Sequence, residues 1–94
     1  MEVQHEERDD EGAFFIEKDG ARAGVMTYTR QGPHRITIEH TEVADSLRGT
    51  GAGKVLLGAL VAWAREGGIE VTAKCPFARA QFEKDASLRD VLAG

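Results

Sequence analysis

The chain has 94 residues, 41% of them hydrophobic and 30% charged, with a formal net charge of -4. That length predicts one domain and one core, burying roughly 60–65% of the unfolded surface, and the balanced composition argues against disordered and fibrous classes. The acid surplus argues against a dedicated nucleic-acid binder, which needs Lys and Arg to neutralise phosphates, and no segment approaches the roughly 20 apolar residues of a membrane span.

The first residues, MEVQHEERDDEG, are acidic and polar where an export signal would be basic and then apolar, so a cytoplasmic location is expected. Residues 1–11 are expected to form a mobile acidic terminus whose charge keeps it solvated. The single cysteine, Cys75, excludes an internal disulfide and a clustered-cysteine zinc site, and it fits a reducing compartment. No His, Asp and Glu set has the spacing of a metal site, so no metal is expected; His5 and His34 stand isolated in polar or turn segments.

In chain order, residues 13–18 (AFFIEK) and 22–30 (RAGVMTYTR) are aromatic and β-branched runs separated by Asp19-Gly20, a pair suited to a tight antiparallel hairpin. After the turn QGPH, residues 35–43 (RITIEHTEV) alternate with period two, with Ile36, Ile38 and His40 on one face and Thr37, Glu39 and Thr41 on the other. From Gly53 to Glu66, Leu56, Ala59, Leu60, Trp63 and Ala64 recur at helical spacing, and Gly67-Gly68 supplies a stop. Residues 69–75 (IEVTAKC) read as a fourth strand, parallel to the third through a right-handed crossover. Pro76 opens a second helix carrying Phe77 and Phe82, and Ser87 with Asp90 has the form of a capping box for a last short helix. The expected fold is a compact α+β domain of order βββαβα plus a short C-terminal helix. Its sheet would be mixed and mostly antiparallel, with four strands and two main helices.

Between the third strand and the long helix lies SLRGTGAGKVL, residues 46–56. A Walker loop ending in Gly53-Lys54 would need Gly at 48 and Ser or Thr at 55, where Arg48 and Val55 stand. A dinucleotide fingerprint starting at Gly49 and Gly51 would need glycine at 54, where Lys54 stands. Glycines before a helix start still allow close backbone approach, and the unpaired N–H groups with the positive end of the helix dipole suit a pyrophosphate. The simpler reading of the same residues is a tight strand-to-helix turn that holds nothing.

The pattern that fits is Arg48-x-x-Gly51-x-Gly53, and through it the chain resembles the GNAT family of acyl-CoA N-acetyltransferases. With EHTEV before the loop and KCPFA after the next strand, it is similar almost end to end to the short, single-domain branch of that family. The resemblance implies binding of acetyl-CoA by Val43, Leu47, Arg48, Gly49, Thr50, Gly51, Ala52, Gly53 and Lys54, and transfer of acetyl to an amine. It also implies that the third and fourth strands splay apart and that the pantetheine arm enters the gap.

Two residues stand at that edge. Cys75, before Pro76, is expected to be extended at the helix N-cap, as a reactive thiol or as an inert buried cap. His40 is either a general base, re-aimed by a strand bulge, or a satisfied core histidine. Larger relatives protonate the leaving thiolate with a Tyr on the helix after the fourth strand; here that helix has Phe77 and Phe82, and Tyr28 lies far upstream. Cys75 is therefore a candidate acid or nucleophile, and His40, Glu39 and Glu42 are candidate bases. The elements that shape the acceptor site in larger relatives are missing, which leaves a partner protein as a candidate for the absent wall. A monomer or weak homodimer is expected. The rival readings are a non-catalytic CoA-binding or interaction module and a redox-sensing thiol protein.

Overall fold

A computed structural model describes residues 1–93. Five strands, β1 (Gln4–Arg8), β2 (Glu11–Lys18), β3 (Ala21–Arg30), β4 (Arg35–Val43) and β5 (Glu70–Ala73), form one sheet in chain order. The helix α1 (Ala52–Gly67) connects β4 to β5, and α2 (Pro76–Lys84) follows. The first four strands are antiparallel and β5 runs parallel to β4, from Arg35 opposite Glu70 to Ile38 opposite Ala73. The fold is α+β as expected, with five strands in place of four.

The added strand corrects the expectation of a mobile terminus over residues 1–11, because Gln4–Arg8 pairs with β2 from Gln4 opposite Phe15 to Arg8 opposite Glu11. Its charge masks a period-two pattern. Val3 packs on the core, His5 stands opposite Phe14 and Glu7 stands opposite Gly12, while Glu6 on the other face pairs with Arg22, whose guanidinium lies 3.8 Å from the centroid of the Phe15 ring.

Local chemistry explains the turns and helix ends. Asp19 and Gly20 both have positive φ, 54° and 81°, which produces the hairpin twist expected of that pair. α1 ends where Gly68 turns left-handed and its N–H reaches the carbonyls of Ala64 and Arg65. Leu56, Leu57, Leu60, Val61 and Ala64 of α1 bury their stripe against Phe14, Ile16, Met26, Tyr28, Ile36 and Ile38, and Ala78, Phe82 and Val91 close the far end of the same cluster. The closing 3-10 turn, Ala86–Val91, is capped by Asp85, which accepts from the Ser87 N–H, rather than by Ser87; Asp90 pairs with Arg65 at 2.8 Å. A nearby cation took the carboxylate assigned to the capping box.

The pairing of β3 with β4 shifts between Thr27 and Tyr28, which face His40 and Ile38 respectively, so Glu39 is an extra residue on β4. A bulge of this kind reverses the inward and outward alternation beyond it. Ile36 and Ile38 are fully buried beneath α1, whereas His40 is exposed beside Thr27 on the opposite face, and Thr41, opposite the buried Met26, takes the α1 side. The expectation that Ile36, Ile38 and His40 share a face is thereby corrected.

A second long-range tie crosses three strands. Tyr28 lies over Gly12, where a Cβ would stand 2.2 Å from the ring, and its phenol donates to Glu7 Oε2 at 2.6 Å and meets His5 Nε2 at 2.7 Å. Since that proton goes to Glu7, His5 Nε2 is the donor to Tyr28. Arg30 completes the cluster, bonding Glu7 at 3.0 Å and lying over Trp63. Burial, and then the bond to Glu7, push the Tyr28 phenol well above its ordinary value. Burial also raises Glu7, but the bonds from Tyr28 and Arg30 outweigh it and hold the carboxyl low. The residue His5 is open to solvent overall, yet its ring stacks on Phe14 at 4.0 Å, and this desolvation lowers its pKa below 6.5, against the pull of Glu7 and with the push of Arg30.

Gly12→Ala is expected to destabilise the chain by about 1–3 kcal/mol in urea unfolding, because the tied Tyr28 ring must move. A histidine whose folded pKa is depressed contributes stability that is complete above its unfolded value and is lost as pH falls through the folded one. The urea midpoint should therefore fall between about pH 7.5 and 5.5, and His5→Gln should flatten that part of the profile; equal slopes for the two proteins would remove His5 as the cause.

Candidate functional site

Beyond Ile38 the two parallel strands part. β5 ends at Ala73, and the N–H groups of both Lys74 and Cys75 converge on the Ile38 carbonyl, at 3.1 and 3.2 Å. β4 continues to Val43 paired only with β3. Among the described residues nothing pairs with the other edge of Glu39–Val43, so a backbone edge is left open at the mouth of the gap.

The chain then makes a 3-10 turn over Asp45–Leu47 and a tight loop into α1. The Arg48 N–H bonds the Asp45 carbonyl, and the Thr50 N–H and hydroxyl bond the Leu47 carbonyl. Gly49 and Gly51 both lie in the left-handed region, at 80° and 79°, and a Cβ on either would meet nothing, so the backbone angle alone demands glycine there. Gly53 serves another purpose: a Cβ there would stand 2.6 Å from Cζ of Phe77, so its bareness lets the starts of α1 and α2 pack together.

This geometry leaves the first-turn N–H groups of α1 free. The first helical bond runs from the Val55 N–H to the Gly51 carbonyl, no side chain caps the helix and no acidic residue occupies its first turn. Among the described residues the N–H groups of Ala52, Gly53 and Lys54 thus have no acceptor, at the positive end of a 16-residue helix dipole. Arg48, 81% exposed and paired with Asp45, and the exposed Lys54 supply cations beside them. These residues fit a pyrophosphate. Val43, exposed at the end of β4, lies on the approach to the loop, whereas the Leu47 side chain is buried in the core and anchors the loop from beneath.

Cys75 is the N-cap of α2, with extended backbone before Pro76, and is 4% exposed. Its Sγ does not cap the helix and instead lies 3.2 Å from Thr41 Oγ1. The bulge turns His40, with Glu39, onto the face away from α1, where both line a groove of about 1080 Å³ that also includes Thr27, Thr29, Glu11 and Asp10. The two candidates therefore border the strand gap from opposite sides of the sheet. Glu39 accepts from Thr29 at 2.9 Å, and that bond, opposed by desolvation and aided by Lys74 at 3.3 Å, keeps its carboxyl below the usual range. Glu42 is exposed farther along β4. Thr41 carried no signal of its own in the sequence, because alternation assigned it to the outer face. Among the described residues no group of three His, Cys, Asp or Glu could hold a metal ion, and no helix is long and apolar enough to cross a membrane.

An open strand edge thus leads to an uncapped, glycine-entered helix, an arrangement that fits an extended ligand ending in a pyrophosphate. Residues 13–91 match the sequence model of the GCN5-related N-acetyl-transferase family, and the chain belongs to that family of acyl-CoA N-acetyltransferases. A GCN5-like protein from Staphylococcus aureus, solved by NMR, is 34% identical over 97% of this chain and 88% of its own, with a TM-score of 0.71. A ribosomal-protein-alanine N-acetyltransferase from Brucella melitensis shares the fold at 19% identity and a TM-score of 0.64, covering 93% of this chain and 64% of its own. A Bacillus anthracis protein solved in complex with acetyl coenzyme A shares it at 18% identity and a TM-score of 0.59, covering 82% of this chain and 47% of its own. No curated protein sequence matches the chain.

Because Gly51 is required by its backbone angle and by nothing it touches, Gly51→Ala is expected to cost about 1–2 kcal/mol in urea unfolding. Gly51→Asn should cost less, since Asn tolerates the left-handed region better.

Proposed function

We propose that this chain binds acetyl-CoA with its pyrophosphate on the free N–H groups at the start of α1, and transfers the acetyl group to an amine by way of Cys75. The observation that carries the reading is the set of acceptorless N–H groups of Ala52, Gly53 and Lys54, next to the open edge of β4. Arg48 and Lys54 add charge, Gly49, Thr50 and Gly51 shape the loop, Val43 flanks the arm of the cofactor and Leu47 supports the turn.

Bound acetyl-CoA supplies an activated thioester. The Cys75 sulfur, as thiolate, attacks the acetyl carbon; the bond to the CoA sulfur breaks, and CoA leaves as its thiolate. An amine approaching from the groove side then attacks the acetyl carbon on Cys75, the new C–N bond forms and the Cys75 thiolate departs. His40, open to that groove, takes the amine proton. Along the groove Glu6, Asp9, Asp10, Glu11 and the ionised Glu39 outnumber Arg8 and Arg22, which favours an acceptor that arrives as a cation, such as a lysine side chain or a polyamine, and sheds one proton to water before it attacks. The shallow groove suits an acceptor site completed by a bound partner, and the free cysteine fits a reducing, cytoplasmic setting.

Calorimetric titration with acetyl-CoA is expected to show binding by the wild-type chain and none by Gly51→Asp, which sets a carboxylate where the pyrophosphate belongs. No binding by the intact protein up to about 1 mM, a limit of about -4 kcal/mol, would overturn the reading. Cys75→Ala is expected to bind acetyl-CoA but to lose acetyl-cysteine formation, detected by mass, and at least about a hundredfold in transfer to an amine. Binding without transfer across a panel of amines would instead mark a CoA-binding module.

A further inference from the structure

The bulge at Glu39 has a counterpart on the face that carries Cys75. One residue beyond His40 the alternation returns the next side chain to the α1 side, and that side chain is Thr41. Its hydroxyl lies 3.2 Å from Cys75 Sγ, and among the described residues it is the side-chain hydrogen bond that the sulfur makes. Cys75 is held from behind as well: its N–H bonds the Ile38 carbonyl at 3.2 Å, and Pro76 keeps its backbone extended. The sulfur could have turned toward the free N–H groups of α2, yet it makes no cap bond there. A β-branched side chain with a stiff χ1, fixed on a strand, is a rigid donor.

We propose that Thr41 is a positioning residue for the acetyl transfer, its hydroxyl orienting the Cys75 sulfur and donating to it whenever it carries negative charge. The proposal rests on the reading of Cys75 as the sulfur that accepts the acetyl group. With a neutral thiol either atom donates, but a thiolate has no proton and only Thr41 Oγ1–H can supply the bond. Hydrogen bonds to charged acceptors are about twice as strong as neutral ones, so the contact tightens when charge arrives on the sulfur. That form occurs twice in the reaction, before Cys75 attacks the thioester and again when the amine expels it. Thr41 contributes no atom to either product.

The test needs no acetyl-CoA, which separates it from the reading it rests on. Alkylation of Cys75 by iodoacetamide is followed by mass from about pH 5 to 10 in wild type, Thr41→Val and Thr41→Ser. A hydroxyl that favours the thiolate about tenfold also lowers its intrinsic nucleophilicity about threefold, for a Brønsted slope near 0.4–0.5. Thr41→Val is therefore expected to shift the profile to higher pH. It should react about threefold more slowly than wild type on the acid limb and about threefold faster on the alkaline plateau. Thr41→Ser should restore the wild-type profile. Loss of packing alone would change rates by one factor at all pH values and would not cross the wild-type curve.

A Thr41→Val profile that coincides with or runs parallel to that of wild type overturns the proposal, as does a Thr41→Ser profile that follows Thr41→Val. If Thr41→Val does not fold, Thr41→Ala takes its place with the same expectation. In acetyl transfer Thr41→Val should lower kcat and leave KM for acetyl-CoA within about twofold, since the loop at the start of α1 is untouched. Full transfer activity in Cys75→Ala would remove the role of the cysteine, a different failure from an unchanged alkylation profile.

Discussion

The extra residue at Glu39 in β4 is the constraint on which the site depends. Sheet side chains alternate with period two, so one unpaired residue reverses every side chain beyond it. Before the bulge, Ile36 and Ile38 belong to the core beneath α1. After it, His40 faces the open groove and Thr41 faces Cys75. The same residues in an unbroken strand would bury the imidazole and send Thr41 to the groove side, away from the cysteine. The bulge also stands where β5 leaves β4, with Lys74 and Cys75 both bonded to the Ile38 carbonyl. One local irregularity thus divides the two chemical groups between the faces of the sheet, at the point where its edge opens.

The glycine loop shows how three residues of one type answer different demands. Gly49 and Gly51 are needed for their positive φ, which turns the chain from the end of β4 into α1. Gly53 is needed because Phe77 occupies the space where its Cβ would be. This links the start of α1 to the start of α2, the helix that Cys75 opens. The start of α1 and the cysteine at the start of α2 are therefore held in register by a packed aromatic ring.

Stability of the sheet is also polar in part. Tyr28 reaches across Gly12 from β3 to β1, joining His5, Glu7 and Arg30 into one bonded cluster against Phe14 and Trp63. An edge strand as charged as Gln4–Arg8 has little apolar area to offer, and exposed ion pairs such as Arg22 with Glu6 contribute little. The partly desolvated Tyr28 cluster adds to the backbone ladder with β2 in attaching β1 to the rest.

Periodicity and turn chemistry by themselves determined the three central strands, both helices, the Asp19-Gly20 hairpin, the Gly68 stop and the Pro76 start, because each rests on interactions within a few residues. Spacing alone separated the loop at residues 48–54 from the Walker and dinucleotide patterns, and the strand and helix around it supplied the context. The sequence also marked His40 and Cys75 as the residues at the strand ends. Tertiary structure decided the rest: that Gln4–Arg8 pairs with β2, that Asp85 and not Ser87 caps the closing turn, and that His40 and Thr41 exchange faces. A strand's partner, an ion pair 25 residues apart and a bulge are set by free energies of contact between distant segments, and no local pattern in the chain encodes them.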